Sequence, residues 1–91
     1  MRVVQVSANR DYEGVQWTAL FSSVDKALDW VRNVDADQWF GVNDVDVAWV
    51  GVDTPSYDRV CDFEVRYDYA ADQANFVTWD PDDKQYVPFV A

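Results

Sequence analysis

Histidine is absent from this chain, and with it go the usual general base, the commonest metal ligand and every standard nucleophilic triad. Cys61 is the one cysteine, so no internal disulfide can form. The three glycines, Gly14, Gly41 and Gly51, lie too far apart for a phosphate-cradling loop or a dinucleotide fingerprint. No apolar run approaches the ~18 residues of a membrane span, and no cationic leader with an apolar run and cleavage site is present. A reducing, cytoplasmic setting is therefore expected. Bases are scarce: seven Lys and Arg face 17 Asp and Glu, a net charge of −10. Direct binding to nucleic-acid phosphates or acidic membranes is disfavoured, because both need clustered cations. The expectation is a protein that is not an enzyme and carries no cofactor.

What is present is aromatic and acidic. At 91 residues the chain is expected to form one domain, and five Trp, five Tyr and five Phe supply large buried areas without disulfide staples. The charge is uneven. Residues 1–34 hold four acids and four bases, whereas residues 35–91 hold thirteen acids and three bases. Fifteen of the acids are aspartate, a poor strand former with little to gain in helices, so local folding preference does not account for them.

Hydrophobic periodicity predicts the elements. Residues 2–8 and 15–21 alternate as strands around a turn at 9–14 and suggest a hairpin. Ser22 is the expected helix N-cap, with Asp25 three residues on, and Val24, Ala27, Leu28 and Val31 form a stripe on a helix over about 23–34. Asp35 and Gln38 read as a second capping box, with Val34 and Trp39 at the staple positions and Gly41 ending a short helical turn. Trp39 and Phe40 read first as a lid on the core edge, with an exposed aromatic anchor as the sharper alternative. Further strands are expected at 44–52, 60–69, 75–79 and 85–89, with a tight turn at 80–84 and Pro88 confined to a sheet edge. The fold class is α+β: an antiparallel sheet of five to six strands, order ββαββ(ββ), with one helix packed on one face.

The stretch from Val60 to Tyr69 sets the functional question. Cys61, Phe63, Val65, Tyr67 and Tyr69 alternate with Asp62, Glu64, Arg66 and Asp68, which assigns the first set to the core and the second to the opposite face. A hairpin with 44–52 across the link at 53–58 suggests that Val45 meets Tyr67, Val47 meets Val65 and Trp49 meets Phe63. Outside, that register sets Asp44 opposite Asp68, Asp46 opposite Arg66 and Ala48 opposite Glu64. The candidate partner-binding residues are Asp44, Asp46, Asp62, Glu64, Arg66 and Asp68. Pairs among the carboxylates could also hold a hard cation or act as acid and base, but no spacing specifies it. Asp80, Asp82 and Asp83 resemble a calcium loop only until Lys84 and Gln85 fill its next two positions. Cys61 is expected to be an inert core thiol.

Two explanations of the acidity remain open. Aspartates can be solvated cover that keeps an aromatic domain soluble, as in a small structural or housekeeping protein, halophilic or homodimeric. Alternatively, carboxylates on alternate strand positions, roughly 6.6–6.8 Å apart, imitate a phosphate track and occupy a basic site on a nucleic-acid-binding protein. The hairpin with Asp11-Tyr12-Glu13-Gly14, followed by Phe21-Ser22-Ser23-Val24-Asp25-Lys26-Ala27-Leu28, resembles short uncharacterised phage and bacterial domains over the first third of the chain. In size and acidity the chain is similar to phage-encoded inhibitors of host defence, the anti-CRISPR and anti-restriction proteins, some of which mimic DNA. That resemblance implies a non-enzymatic inhibitor acting in the host cytoplasm on a basic partner, and transfers no functional residue.

Overall fold

The structure is a computed structural model that describes residues 1–90. Its elements are β1 (Arg2–Arg10), β2 (Gly14–Phe21), α1 (Val24–Asn33), a 3-10 turn (Ala36–Trp39), β3 (Asp44–Gly51), β4 (Tyr57–Asp68), β5 (Gln73–Asp80) and β6 (Gln85–Pro88). The six strands form one open sheet in the order β2-β1-β3-β4-β5-β6, antiparallel at every pairing. The class is therefore α+β, as the periodicity indicates. β2 and β6 are the edges, and Pro88 sits on one of them, where its missing N–H is tolerated.

Ten residues are too few for a helix to persist alone in water, so α1 depends on its caps and on the sheet. Ser23 is the N-cap, in place of Ser22: its backbone is extended and its Oγ accepts from Lys26 N at 3.3 Å. Ser22 Oγ instead accepts from the Lys26 ammonium. Ala27 and Val31 face the sheet, and both are fully buried. The 3-10 turn starts at Asp35 without a side-chain cap bond, and Gly41, at φ +78°, turns the chain toward β3.

The core lies between one sheet face and the segment that crosses it. Val4, Val6 and Ala8 of β1, Val45 and Val47 of β3, and Phe63 and Val65 of β4 meet Ala27, Val31, Trp39 and Val42. α1 packs over β1 and β2, and the 3-10 turn reaches β5. Trp39 joins the two halves: its ring centroid is 5.3 Å from that of Trp17 and 5.1 Å from that of Phe76. Phe89 completes the cover, stacked on Phe63 at 4.5 Å. Trp39 is thus core, whereas Phe40 is fully solvated.

The β3–β4 register differs from the expected one. Val45 pairs with Phe63 and Val47 with Cys61; Asp44 pairs with Glu64 and Asp46 with Asp62. Two causes are visible. The link is shorter than 53–58, because Tyr57 and Asp58 already pair with Val50 and Trp49. Val60 is then an extra residue, since the ladder jumps from Val47↔Cys61 to Ala48↔Arg59. Strict alternation back from Cys61 would aim Arg59 and Tyr57 into the core, and the bulge turns both outward.

Tyr67 and Tyr69 also depart from expectation, being exposed instead of core. β4 ends at Asp68, and neither α1 nor the 3-10 turn reaches far enough to cover the residues beyond Val65.

Gly51 shows how tightly the short link closes. A Cβ there would collide with Thr54 O and lie 2.6 Å from Ser56 Oγ. Gly51→Ala is expected to cost about 1–3 kcal/mol by forced displacement of the link, measured as a lower urea midpoint with unchanged slope. A wild-type midpoint would show that the link yields freely.

Candidate functional site: the uncovered face of the sheet

The sheet face opposite α1 carries every residue singled out by the alternation of β3 and β4. Parity alone guarantees this, because an even register shift leaves the faces unchanged. What the true register changes is the neighbours. Asp44 and Glu64 oppose each other, as do Asp46 and Asp62, so four acids form a block across two adjacent strands. Like charges directly opposite one another destabilise a sheet. The two-residue spacing of Asp44 and Asp46, and of Asp62 and Glu64, is roughly 6.6–6.8 Å along each strand.

Two arginines border the block, and each is held within the fold. Arg66 does not face Asp46; it pairs with Asn75 on β5. Its guanidinium lies 3.8 Å from the centroid of Tyr86 and 3.3 Å from Glu64 Oε2, while Tyr86 donates its hydroxyl to Glu64 Oε1 at 3.0 Å. Trp79 meets Tyr86 edge-on at 5.0 Å. The cation beside Asp46 is Arg59, delivered by the bulge: its Nε is 3.0 Å from Asp46 Oδ1 and its Nη1 3.8 Å from Asp62 Oδ2. The Asp46 contact is an ion pair without the alignment of a hydrogen bond, so this buried oxygen keeps its acceptor capacity unused. Tyr57 donates its hydroxyl to the other Asp46 oxygen.

Asp68 serves the turn that follows β4, where its carboxylate accepts from Ala70 N at 3.0 Å and Ala71 N at 3.2 Å. Asp44 has no ion pair among the described residues. Between these groups lies an open concavity of about 970 Å³, bordered by Asp11, Asp44, Asp62, Glu64, Arg66 and Trp79. Asn43 fixes its end: Asn43 N donates to Asn9 O, Asn43 O accepts from Val65 N, and its side-chain oxygen accepts from Asp11 N, each at 2.8 Å. Alternation does not single out Asp11, Asn43, Tyr57, Arg59, Trp79 or Tyr86 for this face. For Arg59 a signal exists, since adjacent apolar Val60 and Cys61 break the alternation where the bulge falls.

A second cleft of about 590 Å³ opens on the helix side, between Trp39, Phe40 and Val42 on one wall and Tyr67, Tyr69 and Asp72 on the other. Tyr67 donates its hydroxyl to Asp72, and its ring meets that of Tyr69 at 4.9 Å.

No three or more His, Cys, Asp or Glu side chains are grouped to hold a metal ion among the described residues. Asp80 accepts from Asp82 N at 2.9 Å, which is a turn and not a calcium loop. Cys61 faces the core half-buried, and burial, then the charges of Asp62 and Asp46, push its thiol pKa up, away from reactivity. No helix among the described residues is long and apolar enough to cross a membrane.

Tyr57 and Tyr67 hold their protons above the ordinary tyrosine value of 10.0, chiefly through their hydrogen bonds to Asp46 and Asp72. A pKa raised by folding contributes stability that is complete below the unfolded value and is lost as pH rises through the folded one. Stability should therefore fall above pH 10.0, and Tyr57→Phe should flatten that decline. An ultraviolet titration in which all five tyrosines ionise together at the ordinary value would contradict both hydrogen bonds.

Set against protein-family models, curated proteins and solved structures, the chain matches none.

Proposed function

We propose that this chain is a non-enzymatic binding protein whose uncovered sheet face occupies the basic, nucleic-acid-binding site of another protein. The observation that carries the reading is the pairing of Asp44 with Glu64 and Asp46 with Asp62 on a face that neither α1 nor the 3-10 turn covers. Placing like charges opposite one another weakens the sheet, and selection for solubility alone could scatter them. A basic groove converts the same arrangement into attraction, orientation and rapid association. With Asp11 and Asp68 the face presents six carboxylates against two guanidiniums, both already engaged within the fold. Trp79, about half exposed, adds apolar contact area beside the charge. The mixed character favours a specific protein contact over a plain phosphate mimic. Phage and mobile-element inhibitors of host defence, similar in size and acidity, are the class in which we place it.

Acidity serving solubility is the second reading, favoured by the many further aspartates on α1, the 3-10 turn and the loops. Capture from bacterial lysate separates the two. At low salt the tagged chain should retain a nucleic-acid-binding protein, and high salt should release it, because exposed charges are screened beyond the Debye length. Retention of no basic protein, or retention indifferent to salt, would defeat the proposal.

A further inference from the structure

The two edges of the sheet are unlike. β6 is four residues long and includes Pro88, which lacks a donor. β2 is eight residues long, Gly14–Phe21, and contains no charged residue and no proline. Natural edge strands are ordinarily blunted by charge, proline or shortness, because a free row of N–H and C=O groups recruits another strand. β2 has none of these three protections; its one irregularity is the extra residue at Gln16, where the ladder passes from Ala8↔Trp17 to Asn9↔Val15, and Trp17–Phe21 beyond it is regular. Its Val15 and Leu20 are more than half exposed.

We infer that β2 pairs antiparallel with β2 of a second copy, making one continuous twelve-stranded sheet across a two-fold axis. The occupant is argued from charge. Self-association of a chain at −10 is opposed by repulsion, but the first 34 residues are neutral and supply β1, β2 and α1. Pairing through β2 keeps the acidic strands β3 and β4 of each copy on the far side of β1, where repulsion is weakest. It is the one edge at which this chain can meet itself cheaply. A two-fold axis perpendicular to the sheet sets both α1 helices on one side and both acidic faces on the other. Val15, Thr18 and Leu20 then gain apolar neighbours across the seam. Growth stops at two, because the remaining edges are both β6, short and ended by Pro88. The dimer presents two acidic faces side by side, which suits a partner with two basic sites.

Sedimentation of the purified chain at high micromolar concentration should give twice the 10.5 kDa chain mass, undiminished in high salt. Salt thus separates this contact from the acidic face, whose binding it should weaken. Val15→Lys with Leu20→Lys should return the mass to that of one chain while leaving the far-ultraviolet dichroism unchanged. Gln85→Lys, on the opposite edge, should leave the dimer intact. Hydrogen exchange of the wild type gives a second readout that needs no variant: amides of β2 should gain protection as concentration rises, and those of β6 should not. A single-chain mass at high concentration, an open-ended series of masses, or concentration-dependent protection on β6 would overturn the inference.

Discussion

Trp39→Ala is expected to cost about 3–5 kcal/mol, the range for emptying a large aromatic from a packed core. Domains of this kind are stable by about 5–15 kcal/mol, so such a loss leaves little folded margin. The expectation rests on position. Trp39 is 4% exposed and touches Trp17 and Trp30 on one side and Phe76 on the other, so it ties the α1 half of the core to β5. α1 packs over β1 and β2, while the 3-10 turn that carries Trp39 reaches β5. Phe40→Ala is the matching control. The next residue in the chain is 92% exposed, and its removal should change stability by no more than about 0.5 kcal/mol. Urea titrations of both variants decide the matter. Equal effects would mean that the core does not close through Trp39.

The contrast between these adjacent aromatics also marks how far the sequence can be read. Alternation and helical periodicity locate six strands and one helix because each element has one wet face and one dry face, and the spacing of apolar residues records that directly. Parity assigns Asp44, Asp46, Asp62, Glu64, Arg66 and Asp68 to the outer face for the same reason, and no register error of an even number can move them. Which residues oppose one another is another matter. It depends on where the link into β4 ends and on the extra residue at Val60, both set by local backbone geometry that alternation does not encode. Arg59 therefore reaches Asp46 in place of Arg66. Tyr67 and Tyr69 depart for a related reason: alternation tells which face a residue points to, not whether another element reaches far enough to cover it. The N-cap at Ser23 instead of Ser22 belongs here too, because two adjacent serines offer the same chemistry and only packing chooses between them.

Asp44→Lys combined with Asp62→Lys should move stability and partner binding in opposite directions. Both residues are partly or fully solvated; Asp44 has no ion pair among the described residues, and Asp62 gives up only a 3.8 Å contact with the exposed Arg59, worth little at the surface, so the fold tolerates the change. In the double variant the ammonium at position 44 would face Glu64 and the one at position 62 would face Asp46, replacing two like-charge pairs with two opposite ones. The exchange at position 44 is worth roughly 0.2–1 kcal/mol in favour of the sheet, and that at position 62 less, because Arg59 already lies beside Asp46 there. Docking to a basic site should suffer instead, because attraction becomes repulsion at two points near the middle of the face, and like charges across an interface cost several kcal/mol. A loss of about 3–5 kcal/mol is a fall of roughly two to four orders of magnitude in affinity, at about 1.4 kcal/mol for each factor of ten. Melting curves and binding of the captured partner, measured on one preparation, read both quantities. Higher stability with unchanged binding would move the contact elsewhere on the molecule. Lower stability would show that the carboxylates support the sheet, and their pairing would then no longer point to a partner.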